Sequence, residues 1–86
     1  SKNAEIDIIA LDGNTLVFVE VKTRTTLNFG HPFEAINTAK LQKIYTAAYG
    51  YINNSNIIYK NFRIDAFAVL GSENYKIEHI KNIGQF

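Results

Sequence analysis

The stretch EIDIIALDGNTLVFVEVK, residues 5–22, decides the fold. Ile and Val dominate both of its halves, as pleated and half-buried surfaces favour. Asp12-Gly13-Asn14 between them is a strong hairpin signal. Side chains alternate faces along a strand. One face therefore carries Ile6, Ile8, Ala10, Val17, Val19 and Val21, which reads as a core face. The other carries Glu5, Asp7, Ile9 and Leu11, then Leu16, Phe18, Glu20 and Lys22. That second face is apolar near the turn and charged at the far end. Solvent alone would not accommodate Ile9, Leu11, Leu16 and Phe18 together, so it is expected to be partly covered, with the charges at the edge of the cover.

Register decides what those charges do. A Gly13-Asn14 loop pairs Asp12 with Thr15, sets Asp7 opposite Glu20 and sets Glu5 opposite Lys22. An Asp12-Gly13 loop shifts the partners but keeps the face. A three-residue loop without a bulge separates Asp7 from Glu20. Like charges directly opposed on a sheet repel, by roughly 3 kcal/mol at ~5 Å and an effective dielectric near 20. Lys22 is one group that offsets this, and a bound cation is another. Mg²⁺ takes one or two carboxylates together with waters and substrate phosphates. Lys22, two residues on, would sit beside such a cation and its water. The alternative is a plain Glu5–Lys22 ion pair across two strands, worth less than ~1 kcal/mol on a solvated edge.

Working outward, Ala4–Leu11 and Thr15–Lys22 are read as strands, and Thr23–Gly30 as a polar loop. Phe33–Tyr51 reads as a helix whose stripe is Leu41, Ile44, Tyr45, Ala48 and Ile52. Pro32 could open it, or Asn37 or Thr38 could cap it. Asn53-Asn54-Ser55-Asn56 stops it. Phe62–Leu70 and Tyr75–Ile80 are two further strands around a turn at Gly71–Asn74. The order β-β-α-β-β predicts an α/β domain with a central mixed sheet and helical cover.

Composition narrows the classes. The chain has 86 residues, 47% of them apolar and 20% charged, which is globular and fits one domain over 1–86. It has no Cys, so disulfides and thiolate nucleophiles are excluded, and with two His a structural zinc site is not expected. The formal net charge of +1 leaves any nucleic-acid role to local charge. No apolar run reaches the ~20 residues of a membrane span, and no leader is visible. A cytoplasmic protein without a membrane partner is expected. There is no Met, and a strand begins almost at once, so the natural N-terminus is expected to be missing.

The strings Glu5-Ile6-Asp7 and Phe18-Val19-Glu20-Val21-Lys22-Thr23-Arg24 closely resemble the signature of the YraN-type family, small bacterial proteins predicted to be nucleases. Gly30 and Pro32 before Glu34-Ala35-Ile36, Lys40, and Arg63-Ile64-Asp65-Ala66 follow in the family's order. The family resembles a branch of the restriction-endonuclease-like PD-(D/E)xK superfamily, near archaeal-type Holliday junction resolvases. The resemblance implies a restriction-endonuclease-like core flanked by helices and a single site for Mg²⁺ or Mn²⁺ on the hairpin. It implies Asp7 and Glu20 as metal ligands, the Val21 carbonyl as a further ligand and Lys22 as the catalytic lysine. Glu5 would stand beside the metal or against Lys22. The reaction implied is hydrolysis of nucleic-acid phosphodiesters, of DNA more than RNA, extending to branched DNA. Two-fold junctions need two sites and hence a homodimer. The family opens with a helix ahead of the first string, and with the natural N-terminus expected to be missing, that helix is expected to be missing with it. Ala4 replaces a glycine usual before the first Glu. A non-catalytic nucleic-acid-binding or assembly module on the same fold is the alternative.

Arg24 after the site, and Lys40 and Lys43 three apart on one helix face, are the candidate nucleic-acid contacts. Arg63 and Asp65 alternate on one strand face and read as a structural ion pair rather than as metal neighbours. His31 reads as an exposed loop residue and His79 as a surface position. Tyr45, Tyr49 and Tyr51 read as packing residues, although tyrosines also stack on bases.

Overall fold

The computed structural model describes residues 6–26, 28 and 30–84. Four strands form one sheet in the order β1-β2-β3-β4: β1 (Ile8–Asp12), β2 (Thr15–Arg24), β3 (Asn61–Leu70) and β4 (Lys76–Ile80). The outer pairs β1–β2 and β3–β4 are antiparallel, while β2–β3 is parallel, so the sheet is mixed. A parallel pair needs a long crossover. Here it carries a 3₁₀ turn, Pro32–Ala35, and the helix α1, Thr38–Asn53. The helix begins at Thr38 and not at Phe33, because the chain is extended at Ile36 between a separate 3₁₀ turn and α1. Pro32 opens the 3₁₀ turn, and Asn37 caps α1 through an Oδ1 that accepts from the Lys40 amide at 2.9 Å.

The hairpin closes through Gly13-Asn14. Asp12 faces Thr15, Ile8 faces Val19, and Gly13 takes φ +63°. β2 runs two residues further than the hydrophobic pattern suggests, through Thr23 and Arg24, because β3 extends beside it to Leu70. Glu5 and the start of the first predicted strand lie outside the described residues.

The principal core corrects the expected face. Leu16, Phe18, Ile44, Ala48 and Ile64 form the buried cluster, so α1 lies over the face that also bears Glu20 and Lys22. Phe18 is edge-on to both Tyr51 and Phe62. On the opposite face Val17 and Val19 are buried, but Ile8 is half exposed. The described helical cover is confined to one face, not both. Tyr45 and Tyr49 pack on each other and on Phe62, as the packing reading expects.

That opposite face is organised by Asp65, which is 1% exposed. Its carboxylate accepts from Arg63 Nε, His79 Nε2 and the Asn82 amide, each at 2.9 Å. Arg63 reaches on to Asp12 at 3.2 Å. His79 is exposed yet stacks flat on Phe67, so it is a structural partner and not a plain surface residue. Burial alone would raise the Asp65 pKa. The hydrogen bonds from Arg63, Asn82 and His79, with the Arg63 charge, outweigh burial and hold it below the usual carboxylate value. A carboxyl depressed on folding contributes stability above its unfolded pKa, and that contribution is lost as pH falls through the folded value. Stability is therefore expected to drop steeply below about pH 4. Asp65→Asn should flatten that slope in urea titrations. An unchanged slope would assign the acid transition to other carboxylates.

Candidate functional site

The site forms where β1 ends and β2 continues. Ile8↔Val19 is the last ladder pair, in the register expected of a Gly13-Asn14 loop; Asp7 precedes Ile8 and lies beyond the ladder, so its expected pairing with Glu20 is not one of the ladder pairs. Asp7 is at a bend and exposed; its Oδ2 accepts from the Val21 amide at 2.8 Å. The N–H and C=O of one strand residue point to the same side. The Val21 carbonyl is therefore directed toward the same edge, beyond the end of β1. Asp7 is thus held against the Val21 backbone, one residue along β2 from Glu20.

Glu20 is 5% exposed, unusual for a carboxylate unless it is paired. Its Oε1 lies 3.3 Å from Lys22 Nζ and 3.7 Å from Lys40 Nζ. Lys22 shares its strand and face. Lys40 arrives from the first turn of α1, because a crossover that leaves the carboxyl end of β2 brings the helix start back over that end. Lys40 and Lys43 therefore divide. Lys40 turns onto the site, while Lys43 stays exposed in a shallow groove with Ala39, Gln42 and Thr46. Two ammonium groups thus face the buried Glu20 carboxylate, with the Asp7 carboxylate held at the neighbouring Val21 amide.

The far wall is a pair that the sequence reading did not find. Glu78 lies on the same face as Lys22, across Ala68. Its Oε2 is 2.9 Å from His31 Nε2. His31 Nδ1 accepts from the Phe33 amide at 3.2 Å, which leaves Nε2 to donate to Glu78. His31 is thus held in place, not merely exposed. Nothing in the spacing of residues 31 and 78 signals the pair; only the β3–β4 register does. Arg63 and Asp65 form the structural ion pair expected of them, on the face away from Glu20. Arg24 stands at the end of β2, its Nη1 donating to the Thr23 carbonyl at 2.8 Å.

The donor set suits a hard cation. Two carboxylates and a carbonyl are oxygen ligands of the kind Mg²⁺ or Mn²⁺ takes, with waters completing the shell. Among the described residues there is no group of three or more His, Asp or Glu side chains that could hold a metal ion. No described helix is long and apolar enough to cross a membrane.

Comparison with known proteins gives the relationship. Residues 1–69 match the model of "Uncharacterised protein family UPF0102". The UPF0102 protein of Arthrobacter sp. (strain FB24) is 43% identical over 82 residues, which cover 93% of this chain and 70% of that protein. That of Chlorobaculum parvum is 44% identical over 84 residues, covering 90% of this chain and 65% of that protein. That of Renibacterium salmoninarum is 43% identical over 84 residues, covering 95% and 71% respectively. No solved structure matches the chain. With a family model spanning most of its length and relatives this similar over nearly all of it, the chain belongs to the uncharacterised protein family UPF0102.

Proposed function

We propose that this chain is the core of a divalent-metal-dependent endonuclease of the PD-(D/E)xK type, acting on DNA and extending to branched DNA. The observation that carries the proposal is Glu20: a carboxylate 5% exposed, next in β2 to the Val21 amide that holds Asp7, with two lysines on one of its oxygens. In this reading Asp7, Glu20 and the Val21 carbonyl hold Mg²⁺ or Mn²⁺. The metal supplies an activated water and neutralises charge on the phosphate. Lys22 orients that water or meets the developing charge. Lys40 exchanges its contact with Glu20 for a phosphate oxygen when substrate enters. The His31–Glu78 pair bounds the far side of the phosphate. A homodimer would present two such sites to a two-fold junction.

The ion pairs themselves favour a second reading. Glu20 compensated by Lys22 and Lys40 is also what a non-catalytic nucleic-acid-binding module would keep. One experiment separates the two. The protein is incubated with labelled single-stranded DNA, duplex DNA, four-way-junction DNA and RNA, with Mn²⁺ or with EDTA. Cleavage with Mn²⁺ that chelator abolishes is expected, faster on DNA than on RNA. Binding at low salt without cleavage in either buffer would leave the binding module.

A further inference from the structure

We infer that the groove across the carboxyl ends of β2 and β3 holds an unpaired nucleotide, on a strand whose neighbouring phosphate lies at the Glu20–Lys22 site. The inference rests on the nuclease reading above and adds a subsite to it. The groove has a volume of about 610 Å³ and is lined by Thr23, Arg24, Thr25, Val69, Ser72 and Tyr75, with the Gly71 backbone. Open α/β sheets commonly bind ligands outside the carboxyl ends of their strands. Here β2 and β3, the parallel pair, end together.

The chemistry of the lining is specific. Arg24 brings a positive charge, and one of its nitrogens is already fixed on the Thr23 carbonyl. The remaining N–H groups keep the forked geometry that matches a phosphate. Thr23, Thr25 and Ser72 add three hydroxyls and Tyr75 a phenol. Tyr75 is 64% exposed, more than Tyr49 at 52%, and unlike Tyr49 it is not part of the aromatic cluster on Phe62. Among the described residues, no carboxylate lines the groove. A cation, hydroxyls and an open aromatic face together match a phosphate followed by a base.

The groove is also built to keep its shape. The Gly71 amide donates to the Arg24 carbonyl at 2.9 Å and ties the two strand ends together. Gly71 takes φ +109°, and a Cβ there would meet the Asn74 carbonyl oxygen at 2.9 Å. The tight turn into β4 is what carries Tyr75 to the groove.

Position supplies the link to the site. Glu20, Lys22 and Arg24 alternate along one face of β2, so Arg24 stands about 13 Å beyond Glu20 at the strand's rise per residue. Thr23 and Val69 belong to the opposite face. The groove therefore crosses the end of the sheet, and Arg24 is the residue shared by groove and site. A single strand can bend around that end. A stacked and paired base cannot offer its face to Tyr75, so the groove selects unpaired nucleotides next to the cleaved bond.

The test is fluorescence anisotropy with a labelled oligothymidylate and with a duplex, in EDTA at low salt. Tyr75→Ala should weaken oligothymidylate binding about tenfold, with Tyr75→Phe close to the parent, since the ring and not the hydroxyl carries stacking. Duplex affinity should be unchanged in both. Arg24→Gln should weaken binding and lower the slope of log affinity against log salt by about 0.7. Tyr75 is exposed and Arg24 is half-buried at the end of β2, so both variants are expected to fold, which circular dichroism checks. Parent-like binding by Tyr75→Ala and Arg24→Gln, together with weaker binding by Lys22→Gln, would overturn the groove and leave the nuclease reading standing. No binding by the parent chain to either probe would overturn both.

Discussion

Glu20→Gln is expected to abolish Mn²⁺-dependent cleavage while leaving DNA binding in EDTA intact or stronger. The amide keeps the shape of the carboxylate but not its charge. Losing an outer-shell partner of a metal ligand typically costs ~10–100-fold in metal affinity or activity. Loss of a direct ligand should exceed that, so cleavage should fall by more than about 100-fold. The Mn²⁺ affinity, read by electron paramagnetic resonance, should fall with it. DNA binding moves the other way because Lys22 and Lys40 lose the negative charge that occupies them. Their side chains are 22% and 31% exposed, so both can turn to solvent or to phosphate. The stability change should accordingly be small, within the ~0–1 kcal/mol of partly solvated ion pairs. A binding module gives a different pattern, in which Mn²⁺ affinity is absent in the parent and no rate exists to lose. Cleavage that survives Glu20→Gln would remove Glu20 from the site.

Much of this arrangement is legible in residues 5–22. The β propensity of the two halves and the Asp12-Gly13-Asn14 turn fix the hairpin, and a two-residue loop then fixes its register down to Ile8 against Val19, with Asp7 next beyond the ladder. The helix stripe at Leu41, Ile44, Tyr45, Ala48 and Ile52 is equally local. What alternation does not reveal is which face of the hairpin α1 covers. Both faces carry large apolar residues, and Val17 and Val19 on the face away from α1 are buried along with Leu16 and Phe18. Period 2 therefore separates the faces without ranking them. The approach of Lys40 to Glu20 was also hidden. Spacing along the helix groups Lys40 with Lys43, but the parallel β2–β3 crossover decides which of them meets the sheet. Pairs distant in sequence, such as His31–Glu78 and His79–Asp65, depend on the β3–β4 register and leave no trace in local pattern.

Asp65→Ala should produce the largest loss of stability of any single charge removal, about 3 kcal/mol, at the lower end of the range for breaking a buried ion pair. The lower end applies because Arg63 is 19% exposed and retains Asp12. The carboxylate is the common acceptor of Arg63, His79 and the Asn82 amide, so one substitution takes an acceptor from all three, of which Arg63 keeps Asp12. The loss also spreads. Asn82 leads into Ile83, whose amide donates to the Ile64 carbonyl at 2.8 Å and whose side chain packs on the core cluster. Gly84 follows, with its carbonyl accepting from the Tyr45 hydroxyl. Releasing Asn82 loosens this strap over β3 and α1, and urea denaturation should show a lower midpoint. For a domain with a total stability of roughly 5 kcal/mol, most of the margin is removed. Asp65→Asn should cost less, because the amide oxygen still accepts from Asn82. Yet Asp65 is directed away from Glu20, since β3 sets Asp65 beside Val19 and Ala66 beside Glu20. Per folded molecule, at low temperature, Asp65→Ala should therefore cleave DNA at the parent rate. A folded Asp65→Ala protein with no cleavage would make Asp65 a member of the site, and would mean that the two faces of the sheet act together.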